Sequence, residues 1–199
     1  MILSIIASKG GTGKTTSSIF LACAAHTADP SLSITLLDAD PQQSATDWAK
    51  KAKQNKDPLP FMVKYAGESD IENLKDNEGL TIIDTAPGFT DLTQTIIAKS
   101  DLCIITTSPT QLDARRAWKT FEAIQKAGGT SAILITRANT RTKDFREMID
   151  DLHSDDANNG IFFDTVIRQS TRYSKPFGHT PKKTYDYADA WQEIQKAGE

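Results

Sequence analysis

Residues 5–18 read IIASKGGTGKTTSS, and the fold turns on how this stretch is read. An apolar run ends in a glycine-rich turn, and Gly13-Lys14-Thr15 then opens a helical run. The common phosphate-loop pattern G-x-x-x-x-G-K-[ST] would put glycine at position 8. This chain has Ser8 there, followed by a second lysine, Lys9. Gly10, Gly11 and Gly13 let the backbone turn and bring N–H groups close to phosphate oxygens. Thr12 sits among them, and the helix starting near Lys14 adds its positive end to the same place. Lys14 can reach the β and γ phosphates, and the Thr15 hydroxyl can bind Mg²⁺, with Thr16 following.

Outward from this loop, short apolar runs alternate with helical stretches. Strands are expected over 2–7, 32–40, 60–66, 79–88, 101–109, 131–137 and 161–167. Helices are expected after the loop to residue 28, then at 44–54, 90–99, 112–127, 142–153 and 187–197. Strands apolar on both faces and alternating with helices imply an α/β protein: a mostly parallel central sheet with helices on both faces. Ligands of such sheets bind at the carboxyl ends of strands. Ser8 to Gly11, Asp38 with Asp40, and Asp84 all follow strand ends, so they converge on one rim.

The 199 residues suit one domain, expected to span 1–199 with no separate helix-turn-helix domain before the first strand. Acidic residues outnumber Lys and Arg by 26 to 23, so attraction to nucleic acid requires a local basic patch. The sequence holds neither an apolar run long enough to span a bilayer nor a basic, cleavable leader. Its two cysteines, Cys23 and Cys103, lie in apolar stretches, as buried reduced thiols do. A cytoplasmic location is expected.

Asp84 ends the run LTIID, where a carboxylate suits Mg²⁺ held through water. Asp38 and Asp40 follow another strand. Hydrolysis needs an oriented water, a role assigned to Asp40, and Asp38 is given a metal-side or switch-stabilising role.

Together, KGGTGKTT (9–16), DADPQ (38–42) and DTAPG (84–88) resemble the ParA/MinD family of P-loop ATPases, the deviant Walker A group of SIMIBI-type NTPases. The segments 100–113 and 133–137 are similar to the family as well. DADPQQSATDW resembles the small plasmid-partition members most. The resemblance accounts for Lys9: in the family, this extra lysine reaches the nucleotide of the partner subunit. A charge supplied in trans works only when two molecules face each other across ATP, so dimerisation becomes ATP-dependent. It also implies that Pro109, Thr136 and Arg137 lie on the adenine side, and that the nucleotide is ATP with Mg²⁺. The chain has no N-K-x-D tetrad for guanine.

The resemblance further implies non-specific DNA binding on the bacterial nucleoid, and a centromere-binding, ParB-like adaptor that stimulates hydrolysis. The stretch RQSTRYSKPFGHTPKK (168–183) is basic and free of acid, and Arg168, Arg172 and Lys175 are the first candidates for DNA contact. RANTRTKDFR (137–146) is a weaker one. The alternative is a MinD-like or cargo-positioning ATPase acting on a membrane or a protein assembly, or in conjugative DNA transfer. The end YADAWQEIQKAGE, with one Trp and one Ile but also Asp189, Glu193 and Glu199, argues against a membrane.

Overall fold

The structure, a computed structural model, describes residues 1–75, 78–154 and 160–197. Six strands form one sheet: β1 (Ile2–Ile6), β2 (Ile34–Ala39), β3 (Met62–Tyr65), β4 (Leu80–Thr85), β5 (Leu102–Thr107) and β6 (Ser131–Ile135). Their order is β3-β2-β4-β1-β5-β6, and every pairing is parallel. The helices are α1 (Lys14–Ala28), α2 (Ser44–Gln54), α3 (Glu68–Glu72), α4 (Asp91–Lys99), α5 (Gln111–Lys126), α6 (Lys143–Ser154) and α7 (Asp186–Ala197).

Alternate strand residues feed two separate cores, as the pleat requires. Leu3, Ile5, Leu36, Ile82 and Ile104 pack on one face with Phe20 of α1, Trp48 of α2, and Tyr187 and Trp191 of α7. Ile2, Leu37 and Ile83 face the other side with Ile96 of α4, and Ile6 and Ile105 do so with Ala117 and Ile124 of α5. Helices therefore cover both faces. Trp191 and Ile194 are buried, so the apolar side of α7 is spent on this core. Among the described residues, no helix is long and apolar enough to cross a membrane.

Two elements depart from the sequence reading. In place of a strand over 161–167 there are isolated parallel bridges, Phe162 with Ile133 and, just beyond the run, Arg168 with Ala138. In between, the amides of Asp164 and Thr165 turn away from β6 and donate to the Glu193 carboxylate, both at 2.8 Å. The acceptor on α7 interrupts what the apolar run would otherwise complete as a seventh strand. The short helix α3 was not expected; it buries a single apolar residue, Ile71. A five-residue helix is too brief to show a period.

The register sets up the rim. Asp84 on β4 pairs across with Ile5 of β1 and with Asp38 of β2. The central strand thus carries its carboxylate between the phosphate loop and the Asp38–Asp40 segment.

Candidate nucleotide site

The loop between β1 and α1 is held by the ends of neighbouring strands. Gly11 (φ 79°) and Gly13 (φ 88°) occupy the left-handed region, which glycine enters without steric cost. Thr136, at the end of β6, donates its hydroxyl to the Thr12 carbonyl at 2.6 Å. Arg137 donates to the Gly11 carbonyl at 2.6 Å. The Thr12 and Thr106 hydroxyls share a hydrogen bond of 2.9 Å. With two of its carbonyls turned back toward β6, the loop keeps its donors free: no backbone acceptor is found for the amides of residues 10–14 among the described residues. A row of unspent N–H groups at a helix N-terminus is a phosphate cradle.

Lys14 opens α1 and is 7% exposed. Burial lowers its pKa, while Asp84 and Asp40 oppose that shift. Asp84 is fully buried, and among the described residues neither carboxylate oxygen has a hydrogen-bond partner. Burial pushes its pKa up to about 7; Thr15 and Lys14 pull it down, while Asp38 adds to the rise. An orphaned buried carboxylate beside a threonine hydroxyl is the donor chemistry that a hard cation completes. The residues present fit Mg²⁺, which takes its other oxygens from phosphates and water.

Asp38 is also fully buried, but it is satisfied by backbone: Oδ2 accepts from Thr46 N at 2.8 Å and Oδ1 from Asp40 N at 3.3 Å. Its carboxylate fastens both ends of the segment that presents Asp40. Asp40 is partly exposed and accepts from Gln42 N at 2.9 Å. Gln43 adopts φ 53° before α2, so this segment carries backbone strain.

Lys9 does not project freely. Its Nζ lies 2.7 Å from each oxygen of Asp113 on α5; the lysine side chain is 40% exposed and the aspartate 7%. Arg116 lies 3.7 Å from the same carboxylate. Burial raises the Asp113 pKa, but Lys9 and the Thr110 hydroxyl more than offset it, so the group stays ionised. Sequence reasoning gave Asp113 no role. The available signal was the T-x-x-D pattern of Thr110 to Asp113, a helix start that fixes the acid close to the rim.

A cavity of about 440 Å³ opens beside the loop, lined among others by Gly13, Thr16, Thr136, Arg137, Arg168 and Tyr173. Thr136 is buried against the loop, Arg137 reaches it from φ 55°, and Pro109 is not on this wall. The three candidate DNA contacts divide into a pair and a lone lysine. Arg168 and Arg172 converge on Asp186, which is 5% exposed. Arg168 donates from its backbone N at 3.0 Å and its Nε at 3.1 Å, Arg172 at 3.3 Å, and the Tyr173 hydroxyl at 2.6 Å. Burial pushes the Asp186 pKa up, yet Arg168 and Tyr173 bring it below the ordinary carboxylate range. Arg172 also lies over the rings of Tyr173 and Tyr185, at 5.1 and 4.6 Å. Lys175 is exposed.

The family model described as VirC1 protein matches residues 1–153. This chain belongs to the VirC1 protein family, and with it to the ParA/MinD group of P-loop ATPases. Protein virC1 of Rhizobium rhizogenes is 34% identical over 130 residues, covering 62% of this chain and 55% of that protein. The maintenance of carboxysome distribution protein A of Gloeobacter kilaueensis is 29% identical over 146 residues, covering 71% of this chain and 65% of that protein. The chain thus spans about half to two thirds of the length of these curated relatives. The fold matches a crystal structure of a plasmid partition protein from Borrelia burgdorferi bound to AMPPNP, with a TM-score of 0.75 at 18% identity, over 98% of both chains. VirC1 family membership agrees with the expected ParA/MinD resemblance, and the all-parallel sheet agrees with the expected architecture.

Proposed function

We propose that this chain is an ATP-hydrolysing switch for DNA partition, in which an ATP-bound homodimer holds non-specific DNA and an adaptor triggers hydrolysis. The reading rests above all on Asp84, a buried carboxylate without a partner, placed beside Thr15 and Lys14 under a loop of unspent amides.

In this reading the amides of residues 10–14 and the Lys14 ammonium hold the phosphates. Thr15 and Asp84 are the residues that would hold Mg²⁺, which would supply counter-charge to the phosphates. Asp40 orients the water that attacks the γ phosphorus; the bond to the bridging oxygen breaks, giving ADP and phosphate. Asp38 keeps Asp40 in place through Asp40 N and Thr46 N. Thr136 and Arg137 act through the loop carbonyls. Lys9 must leave Asp113 to reach the nucleotide of a second copy.

A cargo-positioning ATPase is the second reading. It is favoured by similarity to a relative named for carboxysome distribution, over 71% of this chain. The test measures mass in solution and binding to an unrelated DNA duplex with ADP, ATP and a slowly hydrolysed ATP analogue. An ATP-specific dimer that binds DNA, with both lost in Lys9→Ala, is expected. A dimer that ignores DNA at low salt favours protein cargo, and a Lys9→Ala chain that dimerises normally removes the role of Lys9.

A further inference from the structure

The cavity of about 440 Å³ beside the phosphate loop is walled by distant parts of the chain. Gly13 and Thr16 bring the loop and the first turn of α1, Thr136 and Arg137 follow β6, and an outer wall runs from Ile167 to Ser174. The outer wall starts on the end of β6: Ile167 N donates to Ile135 O at 2.9 Å and Gln169 N to Ala138 O at 2.8 Å. Beyond Gln169 the chain leaves that ladder for the turn Thr171–Tyr173.

The first two residues of α7 join the outer wall to α1. Asp186 accepts from Arg168 N at 3.0 Å and from the Tyr173 hydroxyl at 2.6 Å, so it grips the wall at two points. Tyr187 shares a hydrogen bond of 2.9 Å with the Ser17 hydroxyl of α1, one residue past Thr16. Its ring lies 5.3 Å from Phe20 of α1 and meets Tyr173 edge-on at 5.4 Å between centroids. Both residues are buried. The chain enters this pair through Tyr185 at φ 52°, a left-handed conformation that a bulky residue rarely takes. Such strain persists where neighbouring contacts over-determine the backbone, and it clusters beside binding sites. Among the described residues, neither Asp186 nor Tyr187 hydrogen-bonds to the phosphate loop, which Thr136, Arg137 and Thr106 hold by separate contacts.

Phosphates seated on the amides of residues 10–14 leave the rest of a nucleotide to enter the cavity past Gly13 and Thr16. Its volume is in the range of small-ligand pockets. We infer that Asp186 and Tyr187 are positioning residues for the nucleoside half of the bound nucleotide: they fix the outer wall against α1 and leave the phosphate half alone. The inference rests on the ATP reading above. It makes the two halves of the ligand separable by substitution, which a general loosening of the fold would not do.

Affinities for a slowly hydrolysed ATP analogue and for tripolyphosphate, which carries phosphates without a nucleoside, are measured with Mg²⁺ by calorimetry, well below the melting temperature of each variant. Wild type is expected to prefer the analogue by at least about tenfold. Tyr187→Phe, which keeps the ring, is expected to weaken the analogue about three- to fivefold, and Asp186→Asn, which keeps the size, about tenfold, as loss of a neutral and of a charge-assisted hydrogen bond implies. Both are expected to hold tripolyphosphate within about twofold of wild type. Ser17→Ala removes the Tyr187 bond from its other end, so Ser17→Ala/Tyr187→Phe is expected to bind the analogue no more weakly than the weaker single variant. Parallel loss of both ligands, or an unchanged preference for the analogue in both variants, overturns the inference and leaves the nucleotide reading standing. A wild type without that preference overturns both, leaving a phosphate site alone.

Discussion

The phosphate loop and the 168–183 stretch are both basic, and they carry their charges in opposite ways. At the loop, Lys14 is buried against two carboxylates, and the backbone is tied down by Thr136 and Arg137 from across the sheet. In the later stretch, Arg168 and Arg172 share one aspartate on α7, while Lys175 and Lys183 stay in solvent. A charge in a motif is defined by local spacing. A charge in a run is defined by whichever acid the topology brings to it. The contrast shows why a basic run names a surface less well than a glycine-rich loop names a site.

The largest test of this contrast is Lys14→Ala. It removes a buried cation aimed at phosphates and is expected to lower ATP affinity by more than about 100-fold, as a charge-assisted contact in a desolvated site implies. Titration with a fluorescent ATP analogue reads it, and an unchanged affinity would break the site assignment.

Asp186→Ala comes next. Two arginines and the Tyr173 hydroxyl lose their shared buried acceptor, and losing several hydrogen bonds to a charged group costs ~3 kcal/mol. The expected fall in melting temperature is about 6–12 °C. Lys175→Ala, in the same run, is expected to stay within about 0.5 kcal/mol of wild type. Equal effects from the two would mean that the stretch is uniform after all.

A third test sharpens the loop side. The Asp84 pKa is raised to about 7 in the nucleotide-free fold, against about 3.9 unfolded. Its ionisation therefore opposes folding; this cost is absent below pH 4, grows from pH 4 to 7, and is complete above that. Asp84→Asn is expected to melt several degrees higher than wild type at pH 8 and nearly level with it at pH 4.5. Magnesium and ATP are expected to reverse the order at pH 8, because the variant loses a metal ligand. A constant difference across pH would show that burial does not govern this carboxylate.

The smallest expected effect separates the two jobs of Arg137. Arg137→Ala and Arg137→Gly both release the Gly11 carbonyl, so each is expected to weaken ATP binding about five- to tenfold. Only glycine relieves the positive φ, so the Gly variant is expected to be the more stable by up to about 1 kcal/mol. Wild-type affinity in both would mean that the loop holds its shape without the arginine.

Much of this molecule was legible before its coordinates. Six of the seven strands expected from apolar runs alternating with helices form the parallel sheet. The convergence of Ser8 to Gly11, Asp40 and Asp84 follows from strand ends sharing a rim. Three things were not legible, for one physical reason. The pairing of Lys9 with Asp113, the capture of Arg168 and Arg172 by Asp186, and the diversion of residues 164–165 by Glu193 each depend on a partner that the sheet order supplies. Spacing along the chain carries no record of those meetings. Asp186 opens α7 and looks there like any acid in a first helical turn.

The contact between Lys9 and Asp113 bears on how much protein is needed before two copies associate. A two-fold dimer that uses Lys9 in trans separates this pair on both subunits, so the same small free energy is subtracted twice. A pair worth about 0.7 kcal/mol then raises the dimer dissociation constant roughly tenfold. In such a proposed dimer, a half-exposed ion pair that would scarcely change the melting temperature thus shifts the protein concentration at which two copies associate. Salt, which screens the half-exposed lysine, moves that threshold as well.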